Sequence, residues 1–312
     1  MVKTRSVQNS NTLHKNRQPV SHPLTPVNSS QRAAILESFS PDRLSWANAD
    51  WTVVLWVLGL HAGCLLAPVF VTWQALLVAA LLHWLAGSIG VCLGYHRYLS
   101  HCAFKLTRPV EFFVLLCGVI SGQGSPLTWA ATHRVHHNRS DQRGDPHSPL
   151  HGRVWSHILW LFVRRSKQQH EALLRRYVPE LVNDRLLRFF EKTYGGWLVL
   201  TGLVLFAAGG LPMLIWGLCV RMTLSYHGTW FVNSATHLWG YQTYETGDQS
   251  RNLWWVAILA YGEGWHNNHH AYPRMAPAGH LWWEFDATWW IIRVLRFCRL
   301  ATEVRDAKIT RH

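Results

Sequence analysis

Two long blocks of this chain are almost free of charge. Between Trp51 and Tyr95 there is no Asp, Glu, Lys or Arg, and between Thr193 and Tyr244 there is only Arg221. A helix needs about 20 apolar residues to cross the hydrocarbon core of a bilayer, so each block has room for two crossings. Breaks at "PVFVTWQ" (Pro68–Gln74) and "GGLP" (Gly209–Pro212) put the spans near 51–70, 74–94, 194–210 and 213–233. Both breaks lack Lys and Arg, whereas the segments before, between and after the blocks are rich in them. By the positive-inside rule those basic segments lie in the cytoplasm, or on the equivalent side of an internal membrane. The predicted fold is an all-α integral membrane protein with four transmembrane helices in two hairpins, each returning the chain to the side where it began.

Composition refines this outline. Residues 1–45 are rich in Ser, Asn and Pro and have no acid before Glu37, which predicts a disordered polar tail. An Arg- and Ser-bearing, acid-poor stretch also fits a transit peptide. The membrane domain then runs over 46–303, with a short tail at 304–312. The nineteen Trp, many near the ends of apolar runs, suit an interfacial belt. "WWIIRVLRFCRL" (Trp289–Leu300) reads as an amphipathic helix lying in the membrane surface. Six scattered cysteines without a CxxC suggest neither a disulfide framework nor a thiolate metal site.

The twenty histidines are unevenly placed. "HRYLSH" holds His96 and His101, "HRVHH" holds His133, His136 and His137, and "HNNHH" holds His266, His269 and His270. His237 lies in "WFVNSATHLWG" at the end of the fourth span. Residues at i, i+3 and i+4 share one helix face, so each H-x-x-H-H can present three imidazoles to a common centre. The H-x-x-x-x-H pair sits about 140° apart on an ideal α-helix, so it converges only where the second span ends or loosens. All nine fall on the predicted cytoplasmic side. His61, His83 and His227 lie inside spans and read as neutral imidazoles bonded to a neighbouring helix. His147, His151, His157 and His170 read as loop or interfacial residues.

Nine imidazoles exceed the four to six ligands of one ion, so two metal ions are expected, and neutral nitrogen donors suit iron. HExxH, GxSxG, a P-loop and a dinucleotide fingerprint are absent, so hydrolytic and nucleotide chemistry have no visible support, and no nucleic-acid partner is expected. A pair of irons at a membrane face points to oxygen chemistry on a lipid. No side chain is basic enough to take hydrogen from an unactivated methylene, whereas an oxygen-activating cofactor supplies that chemistry.

In their order between apolar hairpins, "GYHRYLSH", "THRVHH", "WFVNSATHLWG" and "GEGWHNNHH" resemble the membrane fatty acid desaturases. The resemblance is to the stearoyl-CoA (delta-9) branch, and within it to cyanobacterial acyl-lipid delta-9 enzymes, over about residues 50 to 300. It implies a cytosolic helical cap holding a histidine-rich di-metal site of two Fe ions, and a cis double bond made with O2 and two electrons. It implies as ligands His96, His101, His133, His136, His137, His237, His266, His269 and His270, with Asn233 acting through water. Trp129 and Trp230 match tryptophans at the bend of an acyl tunnel, although an interfacial or core role suits them equally. Trp84 and Ser88 are candidate plugs at the tunnel's end, or ordinary helix packing. Glu263 and Asp145 orient imidazoles or face solvent.

The implied substrate is a saturated C16/C18 acyl chain, carried as acyl-lipid or acyl-CoA. The chain has no haem, flavin or ferredoxin motif of its own, so electrons come from ferredoxin or, second, cytochrome b5. A net charge of +13 favours an acidic donor and also anionic membrane lipids. Two other classes stay open. A hydroxylase or ketolase of the same di-iron type would carry a nearly identical site. A non-enzymatic metal-binding protein would be expected to place its ligands near the membrane midplane.

Overall fold

The computed structural model describes residues 28–306. The N-terminal segment 1–27 and the last residues, 307–312, lie outside the described residues, and with them most of the predicted tails. From Asn28 onward the segment expected to be disordered is folded. Helix α1 (Ser29–Glu37) is capped by the Asn28 side chain, which accepts from the Gln31 N–H at 2.8 Å. Ile35 and Phe39 are buried with Tyr95, Leu99, Val135 and Leu173. Two apolar side chains four residues apart dock this otherwise polar segment, and composition averaged over 45 residues hides them.

Helix α2 (Trp51–Cys64) begins at Asp50, whose carboxylate accepts from the Val53 N–H. After a turn, α3 (Trp73–Trp84) starts at Thr72, which accepts from Ala75, and it continues unbroken as a π-helix over Leu85–Ser100. Among the described residues, the long helices Trp73–Ser100 and Arg185–His237 are the two that are apolar and long enough to cross a bilayer. With 14 residues α2 reaches about 21 Å at 1.5 Å per residue, because residues 65–70 turn instead of extending it to the predicted end. The second span, expected to stop near 94, carries His96 inside its helix.

Helices α4 (Arg108–Val119) and α5 (Pro126–Arg139) pack on the π-helix, α6 (Arg153–His157) packs on the later helix at Arg221–Ser234, and α7 (Lys167–Tyr177) packs on α5. Helix α8 (Arg185–Leu214) is capped by Asp184, which accepts from Leu186 and Leu187. At Gly210 the backbone takes φ +64° and ψ −148°, a region open to glycine and strained for any residue with a Cβ. There the chain doubles back, and the return arm runs through a π-turn (Ile215–Val220), α9 (Arg221–Ser234) and a 3₁₀ turn (Ala235–His237).

Short helices α10 (Trp254–Leu259) and α11 (His266–Ala271) follow, then α12 (Ala287–Phe297). Strand β1 (Lys105–Leu106) pairs antiparallel with β2 (Ala301–Thr302). Backbone bonds from Arg305 to Ala103 and from Ala276 to Arg305 tie down the chain after β2. Helix α12 occupies most of the predicted amphipathic stretch and exposes Trp290, Val294 and Phe297, with the Arg293 guanidinium 4.3 Å from the Trp290 ring centroid.

Candidate metal centre

The H-x-x-x-x-H spacing is resolved by the π-helix. Its hydrogen bonds join residues five apart, and the His101 N–H bonds the His96 carbonyl at 3.2 Å. One wide turn thus brings the two histidines together edge to face, with ring centroids 4.8 Å apart. Helix α5 supplies His133, His136 and His137, α11 supplies His266, His269 and His270, and the 3₁₀ turn supplies His237.

These nine side chains sort into two groups. His96, His101, His133, His137 and His269 form one; His136, His237, His266 and His270 form the other. Within each group the candidate ligand atoms lie within 4.8 Å of one another. Both H-x-x-H-H helices are shared between the groups: α5 gives two imidazoles to the first and one to the second, and α11 the reverse. A helix of six residues is not stable alone, and α11 is held by its two asparagines. Asn267 Oδ1 accepts from the N–H groups of Thr243 and Tyr244, and Asn268 Nδ2 donates to Glu284 and to the Ala278 carbonyl. Gly264, just before α11, packs so closely on the Ala257 backbone that a Cβ would lie 2.1 Å from its nitrogen.

Four carboxylates hold the outer nitrogens. His96 Nδ1 lies 2.8 Å from Glu263, His136 Nδ1 2.9 Å from Asp145, His237 Nδ1 2.9 Å from Asp141 and His270 Nδ1 2.7 Å from Asp248. Glu263 also meets Arg97, which reaches on to Asp286, the cap of α12. Glu263 and Asp145 therefore orient imidazoles and are buried. Asp141 and Asp248 play the same part and escaped the sequence reading; the signal available was the place of Asp141 four residues after His137.

This arrangement tests whether the donors fit a cation. With Nδ1–H given to a carboxylate, Nε2 is left as a lone pair. The Nε2 atoms of His136 and His270, both so held, face each other at 3.3 Å. His266 and His237 Nε2 lie 3.1 Å apart, and His269 Nε2 is 3.0 Å from those of both His96 and His137. Lone pairs crowded inward in this way repel one another and fit a bound cation. Burial, helped by neighbouring imidazoles, holds His133, His137, His266 and His269 well below the usual histidine range, and His270 is pushed down to about 4. Burial also opposes charge on His136, but the Asp145 carboxylate outweighs it and raises that one imidazole. Neutral imidazole is the ligating form.

A pH dependence follows. Among the nine site imidazoles, five bind protons less readily folded than unfolded, against one that binds them more readily. Where the unfolded chain holds more protons, stability rises with pH. The metal-free protein is thus expected to lose stability as pH falls from about 6.5, the unfolded histidine value, toward 4. Thermal unfolding between pH 8 and 5 checks this, and a melting temperature unchanged below pH 6.5 would contradict it.

A cavity of about 1420 Å³ opens beside the first group. His133, Trp129, Trp230, Asn233 and His147 line it. Trp129 stacks on His133 with centroids 5.0 Å apart. Trp84 and Ser88 are not among the lining residues: Trp84 is exposed, and Ser88 is buried with its hydroxyl 3.5 Å from that of Thr288. Phe206, Leu214 and Leu218 on the α8–α9 hairpin also line the cavity. His147, read from sequence as a loop residue, is buried with its ring 4.3 Å from that of His136. His61 and His227 bond between helices as expected, whereas the partner of His83 lies in the turn after α10. His83 Nδ1 meets the Tyr261 hydroxyl, His61 meets His227 at 3.1 Å, and His227 meets His157 at 3.0 Å.

A sequence model of the fatty acid desaturases matches residues 70–299. The chain is 42% identical over 268 residues to an sn-2 palmitoyl-lipid 9-desaturase of Nostoc sp. (strain 36), covering 86% of this chain and 94% of the relative. It is 43% identical over 260 residues to an sn-1 stearoyl-lipid 9-desaturase of Anabaena variabilis, covering 83% and 94%. It is also 43% identical over 260 residues to the chloroplastic palmitoyl-monogalactosyldiacylglycerol delta-7 desaturase of Arabidopsis thaliana, covering 83% and 70%. The two histidine groups, the apolar helices and these matches agree: the chain belongs to the fatty acid desaturase family and is an oxidoreductase.

Proposed function

We propose that this enzyme converts a CH2–CH2 pair at carbons 9 and 10 of a saturated C16 or C18 acyl chain into a cis double bond. The chain is carried on a membrane lipid, and the two hydrogens removed from that pair leave with O2, two external electrons and two protons as two waters. The observation that carries the reading is His133, which belongs to the five-histidine group and also lines the cavity. A substrate carbon there lies beside the metal centre. The relatives support an acyl-lipid. Bond position 9 follows the two cyanobacterial names, although the delta-7 relative is no more distant.

The nine histidines would hold two irons, five imidazoles around one and four around the other, with Asn233 acting through water. Bound iron supplies oxygen activation, the chemistry that side chains lack. The residues supply position. Four carboxylates fix imidazole orientation, Trp129 and Trp230 form the wall that selects which carbon faces the centre, and the apolar lining excludes water. Four spans in two hairpins, within a domain over 46–303, would set the site on the cytoplasmic side of the membrane. There the basic surface receives an acidic donor, ferredoxin first and cytochrome b5 second.

The test is a fatty acid profile with double-bond location by gas chromatography–mass spectrometry, in a host that supplies ferredoxin and saturated C16/C18 chains. A new cis monoene at carbon 9 is expected. A bond at carbon 7 would overturn the position alone, and hydroxylated chains would overturn the reaction.

A further inference from the structure

The cavity is not a closed tunnel. Its outer part lies between α2, through Val53, Leu55 and Trp56, and α8, through Gly195, Val199 and Leu203. Helix α2 packs mainly on the return arm of the hairpin, which leaves a slot between it and the first arm. The lips are apolar and face outward, with Leu55 65%, Val199 64% and Leu203 62% exposed, whereas Tyr226 and Trp230 inside are buried. A Cβ at Gly195 would meet nothing within 4 Å. From Tyr194 to Phe206 the slot follows α8 for about 18 Å. One leaflet's share of the hydrocarbon core is about 15 Å. At the end of the slot where α2 begins, the lining turns polar, with Asp50, Arg165, Ser166, Lys167 and His170.

From this we infer that the acyl chain enters sideways from the surrounding leaflet, through the slot between α2 and α8, while still esterified to a glycerolipid whose headgroup stays at the polar rim. The inference rests on the desaturase reading, with its lipid-borne chain, and adds the route of entry. Both lips are apolar helix surface that would otherwise sit against lipid tails, so a tail moving between them exchanges one apolar neighbour for another. A chain brought on a soluble carrier would thread from the polar rim and make no use of the lips. The slot's length matches one tail of one leaflet, and its inner wall leads to His133.

The test narrows the lips from outside without filling the interior. A Leu55→Trp/Val199→Trp protein is compared with Leu58→Trp/Leu200→Trp, equally apolar exposed positions on the same helices that do not line the cavity. Purified, metal-loaded proteins are placed in vesicles of distearoyl glycerolipid with an electron donor, and separately given stearoyl-CoA and stearoyl-acyl carrier protein. Desaturation of vesicle lipid is expected to fall at least tenfold in the lip pair and to stay at the parent rate in the control pair, with equal metal content in all three. A lip pair as fast as the parent on vesicle lipid would overturn sideways access, as would a parent that uses only the soluble carriers. A metal-loaded parent that desaturates none of the three would instead remove the desaturase reading, and the slot's role with it.

Discussion

His269→Ala is expected to abolish desaturation and to halve the metal bound per chain. His269 is the member of α11 that reaches into the five-histidine group, and its Nε2 lies 3.0 Å from those of both His96 and His137. Its ring also stands between the groups, with centroids 4.8 Å from His137 and 5.8 Å from His270. Removing it takes a nitrogen from the centre of its group and leaves a buried hole that alanine cannot fill. The remaining four imidazoles keep their helices, so the protein should fold. Product formation should fall below detection, a loss of more than about a hundredfold, given that outer partners alone are worth 10- to 100-fold. Metal analysis of the purified protein beside product analysis checks this. A variant that kept both ions and its activity would show that His269 is packing and not a ligand.

Glu263→Gln should act on the same group from outside. The Glu263 carboxylate lies 2.8 Å from His96 Nδ1 and 3.0 Å from the Arg97 guanidinium. All three groups are nearly free of solvent. Burial pushes this carboxyl up, but Arg97 and His96 outweigh it and hold it below the usual range, so it is ionised in the folded protein. Glutamine keeps the shape but loses the charge. That leaves Arg97 with Asp286 as its remaining buried anion and weakens the hold on the imidazole. Metal affinity is expected to drop about 10- to 100-fold, and stability to fall by about 3 kcal/mol, toward the low end for a broken buried pair. Chelator competition and thermal unfolding measure the two effects. Full metal retention would show that Glu263 serves only Arg97.

Much of this site was legible because its signals are local. Helix period places three imidazoles of H-x-x-H-H on one face, and the span pattern puts all the boxes near the same helix ends. The five-residue spacing of His96 and His101 even demanded a loosened helix, which the π-helix provides. The expected loop and tail residues fared worse. Ile35, Phe39 and His147 are buried by partners that composition does not reveal. Trp84 and Ser88, the plug expected from sequence, do not line the cavity, which lies on the α2–α8 side of the bundle.

By itself, then, the sequence determined the ligand type, the number of imidazoles, their helical presentation and the apolar setting. These depend on residue chemistry and on repeat distances of a few positions. Tertiary structure alone decided the division into five and four, since it depends on how α5 and α11 cross, more than 100 residues apart. It alone assigned Asp141 to His237 and Asp248 to His270, pairs 96 and 22 residues apart in which neither acid carries a motif. It alone opened the slot between α2 and α8. A carboxylate or a gap between helices acquires its chemistry from what packs beside it, and packing partners are set by the fold as a whole.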